Sequence, residues 1–533
     1  MLLHTATAIT AAVDHHRLRR HAFSPSPSNS RSPLTGFSTS TLPKPPRSST
    51  ISCSSKSRSR SSGTAVDLEK RKKLDWYTIY KRISMLGYPE KGNAATVLDQ
   101  YENEGIKISR FDLSRIIKEL RKFGRHEFAL QGYEWMNNRA DKYRQYAVDA
   151  AIHLDLISKV HGISKAEDYF LSFPESLRKK ELYGSLLNAY AHFGMREKAE
   201  SLFDEIRNRG YADGNPRPYN VMLTLYMKLE EHDKVECMVL EMDEKHLLDI
   251  YSYNIWLTSR GYQGSPEKME QVFERMKRDT SVVPNWSTYS VMASMFIKMG
   301  ELEKGKDYLG KLESGIKGQD RTAYHYLISL YGSVGNKEGI HSVWNDYKSY
   351  FAYIPNMGYH LVITSLLRLD DIEGAENAFH EWMSAKTHHD ARIANHLLRW
   401  YLKNGQLEKV ESVFTLLVDA GRKPSSKTLG ILAQVHIKKR RVSEALSCLR
   451  DAALAEGSSG WRPNYATIAS FIKLCEEEDD MKSKEELMKV LSEAGCFEYE
   501  DYLSYIASQN DSEKDGDEIS DGAVLNELYG GLE

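Results

Sequence analysis

Five cations share one spacing. Lys228, Lys298, Arg368, Lys403 and Lys438 lie 70, 70, 35 and 35 residues apart. A positive charge that returns at a fixed interval suits a ligand that repeats its own negative charge, and the phosphates of a nucleic-acid strand do so. If the interval belongs to stacked units, these cations form a stripe that neutralises successive phosphates. A second chemistry competes. Cations near the C-terminal ends of helices also meet the partial negative charge of the helix dipole.

No other constellation promises bond-making. The sequence holds no P-loop, no G-x-G-x-x-G, no H-E-x-x-H and no G-x-S-x-G, so no phosphate cradle, zincin or nucleophile elbow is expected. His388 and His389 beside Asp390 come nearest to a metal pair. Adjacent residues do not face one another on a helix, and metal-ligand spacing is missing. The five cysteines (Cys53, Cys237, Cys448, Cys475 and Cys496) form no C-x-x-C. They read as small core residues in a reducing compartment. The acids Glu476, Glu477, Glu478, Asp479 and Asp480 read as a solvated face. The expectation is a non-enzyme with no catalytic residue, no metal and no cofactor.

The interval belongs to a repeat. Tyrosines that open apolar runs stand at Tyr183, Tyr219, Tyr253, Tyr289, Tyr324 and Tyr359, and the register continues at Ala394 and Leu429. Sixteen residues after each come Ala199, Val235, Met269, Gly305, Ile340, Ala375, Val410 and Ala445. Four further on lie Phe203, Val239, Phe273, Leu309, Trp344, Phe379, Phe414 and Leu449. Three beyond those lie Ile206, Met242, Met276, Leu312, Tyr347, Trp382, Leu417 and Ala452. The spacing i, i+4, i+7 places each trio on one helical face. Gly194, Gly264, Gly300, Gly335 and Gly405 stand five residues before the small residue, where a left-handed backbone can end a first helix. Each unit is therefore helix, turn, helix, and it must stack on its neighbours to bury its apolar face. The fold class is all-α: a right-handed α-solenoid superhelix of paired antiparallel helices with a repeat of about 35 residues.

Tyr253-Asn-Ile-Trp-Leu257, Gly300-Glu-Leu-Glu-Lys-Gly305, the run Gly405–Phe414, and the unit endings Gly421-Arg-Lys-Pro and Trp461-Arg-Pro-Asn resemble pentatricopeptide repeats. The resemblance covers roughly residues 110–490. Degenerate units over 110–179 precede core repeats over 180–464, and terminal capping helices over 465–507 follow. Residues 63–109 are expected to form entry helices, and residues 75–109 resemble the entry region of one plant subgroup. With no editing-type or nuclease-type extension, the chain is similar to the plain P class.

That resemblance implies binding of single-stranded organellar RNA, about one base per repeat, read by the fifth residue and by the last residue before the next unit. Carried onto this sequence, Asn220 with Asp249 implies uracil. Asn254 with Asn285 implies a pyrimidine, more often cytosine. Asn395 with Ser425 leans to cytosine, and Ser290 with Asp320 to a purine. Gly184, His325, His360 and Gly430 depart from the Asn, Thr or Ser that the family prefers at the fifth position. The second position departs too: Glu181, Arg217, Tyr251, Ser287, Thr322, Met357, Arg392 and Lys427 replace the usual aliphatic residue. Arg217, Tyr251 and Arg392 could stack on bases instead.

The ends differ from the middle. Residues 1–66 hold nine Lys/Arg and one acid, a charge of +8 that leaves −10 for the rest of a chain whose net charge is −2. Residues 1–62 are rich in Ser, Pro and Arg and poor in acids, the signature of an organelle transit peptide. Chloroplast is favoured over mitochondrion, with Ile51-Ser52-Cys53 resembling a plastid processing site. Residues 508–533 form an acidic tail that is expected to be disordered. The body between lacks a broad basic field, so a protein-binding scaffold stands as the alternative to an RNA binder.

Overall fold

The computed structural model describes residues 76–86, 92–139, 141–143, 146–316, 318, 320–385, 390–456, 461 and 463–494. The transit segment, the acidic tail and His388-His389 lie outside them. Among the described residues the only regular structure is helical. The chain divides into two units, one ending at Asp168 and one running from Tyr169 onward.

The first unit holds helices Trp76–Ser84, Ala94–Asn103, Arg110–Lys122, His126–Asn137 and Ala147–His161. Ala129 and Ala166, which fall into the repeat register, are both fully buried. Among the ion pairs that cross it are Arg110 to Asp149 and Arg121 to Asp155, each at 2.5 Å. Asp155 is almost fully buried, which opposes its charge. Lys159 and Arg121 outweigh that burial and hold its pKa below the ordinary value.

The second unit is the regular array. Its first helices are Lys180–His192, Arg217–Lys228, Ile250–Tyr262, Trp286–Lys298, Arg321–Ser333, Asn356–Arg368, Ala391–Lys403, Ser426–Lys438 and Tyr465–Glu477. A second helix follows each after a short turn, from Arg196–Asn208 to Met481–Glu493. Each first helix packs on its own partner and on the next first helix, which makes the unit an α-solenoid.

The apolar ladders explain the stacking. Ala199, Val235, Met269, Ile340, Ala375 and Ala445 have no exposed surface, and Gly305 and Val410 are buried with them. In the next two rungs every residue is buried except Phe414, which is partly so. Small residues are needed where helices approach closely. A Cβ added at Gly305 would lie 2.7 Å from Ile297 Cγ1.

The turn position is left-handed in every core repeat. Gly194, Gly264, Gly300, Gly335 and Gly405 have φ between +65° and +83°. Glu230, Asp370 and Arg440 occupy the same position with φ of +59°, +54° and +56°. The backbone is thus set by the packing of the pair, and the three non-glycine residues adopt a conformation that glycine takes at less cost.

Polar ties reinforce the stack. The hydroxyls of Tyr183, Tyr219 and Tyr359 each donate to a glutamate 22 residues on, Glu205, Glu241 and Glu381, at 2.7–3.2 Å. Between neighbouring repeats, Lys234 pairs with Glu200 at 2.5 Å, Lys304 with Glu270 at 2.9 Å and Lys409 with Glu376 at 2.8 Å. Much of the charge of the body is spent within it.

Candidate nucleic-acid interface

The last residue of a unit precedes the next first helix, and at Asp249, Asn285, Asp320 and Ser425 the structure makes it the N-cap of that helix. Asp249 accepts from Tyr251 N and Ser252 N, Asn285 from Ser287 N and Thr288 N, Asp320 from Thr322 N, and Ser425 from Thr428 N. Asp, Asn and Ser are favoured there because their short oxygens reach the free N–H groups of the first turn. Capping alone therefore accounts for these residue types.

The fifth residue lies one turn inside the preceding first helix. Asn220 Nδ2 donates to both carboxylate oxygens of Asp249, at 3.1 and 3.3 Å. This pair of sequence-derived readers is in direct contact. Asn254 and Asn285 are joined through a third group. Asn254 Nδ2 donates to Ser287 Oγ at 3.0 Å, and Ser287 Oγ donates to Asn285 Oδ1 at 2.6 Å. Asn395 and Ser425 are likewise joined through Thr428, whose Oγ1 lies 2.8 Å from Asn395 Oδ1 and 2.8 Å from Ser425 Oγ. No hydrogen bond joins Ser290 to Asp320 in the described structure. Ser290 Oγ donates instead to Ser287 O of its own helix at 2.8 Å.

These side chains are deeply set. Asn254 has no exposed surface, and Ser290, Asn395 and Asn220 expose 3%, 5% and 8%. Asn220 Oδ1 and Asn254 Oδ1 are buried without a hydrogen-bond partner. A buried carbonyl oxygen without a donor is an uncommon and costly arrangement.

The cation ladder divides. Lys228 Nζ donates to the carbonyl of His192, and Lys438 Nζ to that of Leu402 at 3.5 Å. Both acceptors lie at the C-terminal end of the preceding first helix, so these two lysines serve the helix-end chemistry. Lys298 Nζ sits 5.5 Å from the ring centroid of Tyr262. The residue is exposed as a whole, but poor hydration of its ammonium lowers its pKa. Lys403 is exposed and Arg368 half-buried.

Second-position residues offer little stacking surface. Tyr251 is buried and its hydroxyl lies 2.7 Å from Thr224 Oγ1, so it cannot stack on a base as expected. Arg392 is held by its own N-cap, Asp390, at 2.9 Å. Arg217 is exposed. At the fifth position, His325 Nε2 lies 3.0 Å from Tyr347 Oη, and burial pushes its pKa down to about 4. Of the residues that join the readers, Thr428 is not singled out by pattern, and Ser287 is noted only as a second-position residue that is not aliphatic. Their signal is a hydroxyl two or three residues after an Asn or Ser cap.

The PPR repeat model matches residues 181–211, 217–247, 287–314 and 393–422, and the pentatricopeptide repeat domain model matches 238–299. A pentatricopeptide repeat-containing protein of Arabidopsis thaliana is 50% identical over 473 residues, which are 88% of this chain and 90% of that protein. The chain belongs to the pentatricopeptide repeat family. A second Arabidopsis thaliana member, designated mitochondrial, is 34% identical over 81% of this chain and 87% of its own. A third relative from that plant is the large ribosomal subunit protein mL101, 31% identical over 80% of this chain and 87% of its own. Membership makes the chain a helical repeat scaffold and not an enzyme. Within this pentatricopeptide repeat array, the PPR units headed by His325 and His360 fall in the interval 315–392 that neither model matches.

Proposed function

We propose that the chain binds single-stranded organellar RNA along its successive first helices, as a P-class protein that supports the stability, processing, splicing or translation of a transcript. The observation that carries this reading is the contact between Asn220 and Asp249, the fifth and last residues of one repeat. Asn254/Asn285 and Asn395/Ser425 add two bridged pairs. Ser290/Asp320 remains a proposed reader without a joining bond. Lys298, Arg368 and Lys403 are proposed phosphate contacts, and so are Lys228 and Lys438, which would have to exchange a carbonyl for a phosphate.

The family and the Ser-rich, acid-poor front end favour an organelle, reached by a transit peptide over residues 1–62. The mitochondrial designation of the relative at 34% identity now favours the mitochondrion over the chloroplast. A second reading rests on a specific observation: mL101 is by name a ribosomal subunit protein. A scaffold held within a larger assembly would tolerate the unreadable units headed by Gly184, His325, His360 and Gly430.

Crosslinking and immunoprecipitation of the tagged chain from isolated organelles, followed by sequencing, separates the two. One short footprint on one transcript supports sequence-influenced binding. Recovery of ribosomal RNA with ribosomal proteins supports the assembly reading, and protein recovery without RNA sinks RNA binding.

A further inference from the structure

We infer that Ser287 is a positioning residue that locks the amide of Asn254 with its nitrogen toward Ser287 and its carbonyl oxygen left to accept, so that this repeat selects a base that places an N–H donor at that oxygen. The inference rests on the RNA-binding reading and deepens it at one repeat.

The donor and acceptor roles around Asn285 are fixed by chemistry. The first turn of helix Trp286–Lys298 presents the N–H groups of Ser287 and Thr288, and both point at Asn285 Oδ1, at 2.9 and 3.4 Å. Backbone N–H groups only donate, so the cap must present its oxygen. Ser287 Oγ lies 2.6 Å from the same oxygen. Oxygen to oxygen, the serine must supply the proton, and a hydroxyl has one proton to give. Its remaining capacity is that of an acceptor. The atom of Asn254 that faces it at 3.0 Å must therefore be the amide nitrogen. Helix capping thus propagates through one hydroxyl to fix which way the Asn254 amide points.

Asn254 Oδ1 is thereby left buried and without a partner. A buried acceptor lacking a donor is the group a ligand N–H would satisfy. The neighbouring repeat reaches the same polarity by a shorter route. A carboxylate can only accept, so Asp249 draws Asn220 Nδ2 toward itself and leaves Asn220 Oδ1 without a partner. Ser287 therefore does for Asn254 what a carboxylate does for Asn220. Its burial, 1% exposed, removes it from stacking and leaves this as its contribution.

Asn254 contributes no exposed surface in the free chain. A base reaches Oδ1 only after local movement of the side chains above it, and the polarity set by Ser287 is what that base then meets.

The test is selection from a randomised single-stranded RNA pool with the full chain, comparing the unaltered protein with Ser287→Ala and Ser287→Thr. Removing the hydroxyl lets the Asn254 amide turn over. The expected result for Ser287→Ala is a fall of about fivefold in base preference at the one position assigned to Asn254, the equivalent of one hydrogen bond. Preference at the Asn220 position stays, and so does the melting temperature within a few degrees. Ser287→Thr keeps a hydroxyl and should keep the preference. Unchanged selectivity in Ser287→Ala overturns the inference. So does a uniform loss at all positions with a lowered melting temperature, which marks a merely structural serine. If the unaltered chain selects no RNA, the RNA reading itself fails, and the inference fails with it.

Discussion

At the scale of single residues, capping and base reading are superimposed on the same atoms, and substitutions can pull them apart. Asp249→Ala removes the acceptor of two backbone N–H groups and of Asn220. It should destabilise the array by about 1–2 kcal/mol in chemical denaturation. Asn220→Ala leaves the cap intact, so its effect should fall on RNA affinity and much less on stability. Equal effects of the two on stability would mean that Asn220 is only packing. His325 gives a pH signature. Its pKa lies near 4 in the folded chain, against an ordinary value of about 6.5. Between those values the unfolded chain binds the extra proton, so stability falls as pH drops through 6.5 and levels off below 4. The expected loss at pH 5 relative to pH 7.5 is about 2 kcal/mol from this group, and His325→Gln should remove it in parallel denaturation series. The readers were legible as residue types because the repeat register located them. Their burial and the hydroxyl bridges were not, because both depend on how the next first helix seats against the last.

At the scale of elements, the helix pair dictates its own turn. The sequence pattern found that turn through Gly194, Gly264, Gly300, Gly335 and Gly405, and missed it at Glu230, Asp370 and Arg440 because those side chains carry no glycine signal. The structure places all eight in the left-handed region. Glu230→Gly and Asp370→Gly should therefore stabilise by up to about 1 kcal/mol each, since relief of strain slightly exceeds the entropy that glycine brings. Gly300→Ala is the reverse experiment. A Cβ at Gly300 meets nothing within 4 Å, so any loss is backbone strain alone. It should cost about 1 kcal/mol, read as a lowered denaturation midpoint. A stabilised Gly300→Ala would show that the turn relaxes freely. The apolar ladders were fully legible by contrast, because a spacing of i, i+4, i+7 has one consequence on a helix wherever it occurs. Phe414 is the one rung left partly exposed, for which the pattern held no warning.

At the scale of the whole molecule, charge sets how RNA could be held. The body is near neutral, and many of its cations are tied to acids of neighbouring repeats, as Lys234 is to Glu200 and Lys409 to Glu376. Two ladder lysines are engaged with helix carbonyls. The ladder itself can therefore present at most five cations to phosphates. For a single strand, each neutralised phosphate contributes about 0.7 to the slope of log affinity against log salt. The slope should be no steeper than about −3.5 for a chain starting after residue 62, and shallower if Lys228 and Lys438 keep their carbonyls. Lys403→Ala should flatten it by about 0.7, while Lys228→Ala should change it little. The longer chain carries nine further cations before residue 67. If those touch RNA, it will bind more tightly and with a steeper slope than the shortened one. A steep slope in the shortened chain would instead place the phosphates outside the ladder, and the spacing of 35 residues would then belong to helix ends alone.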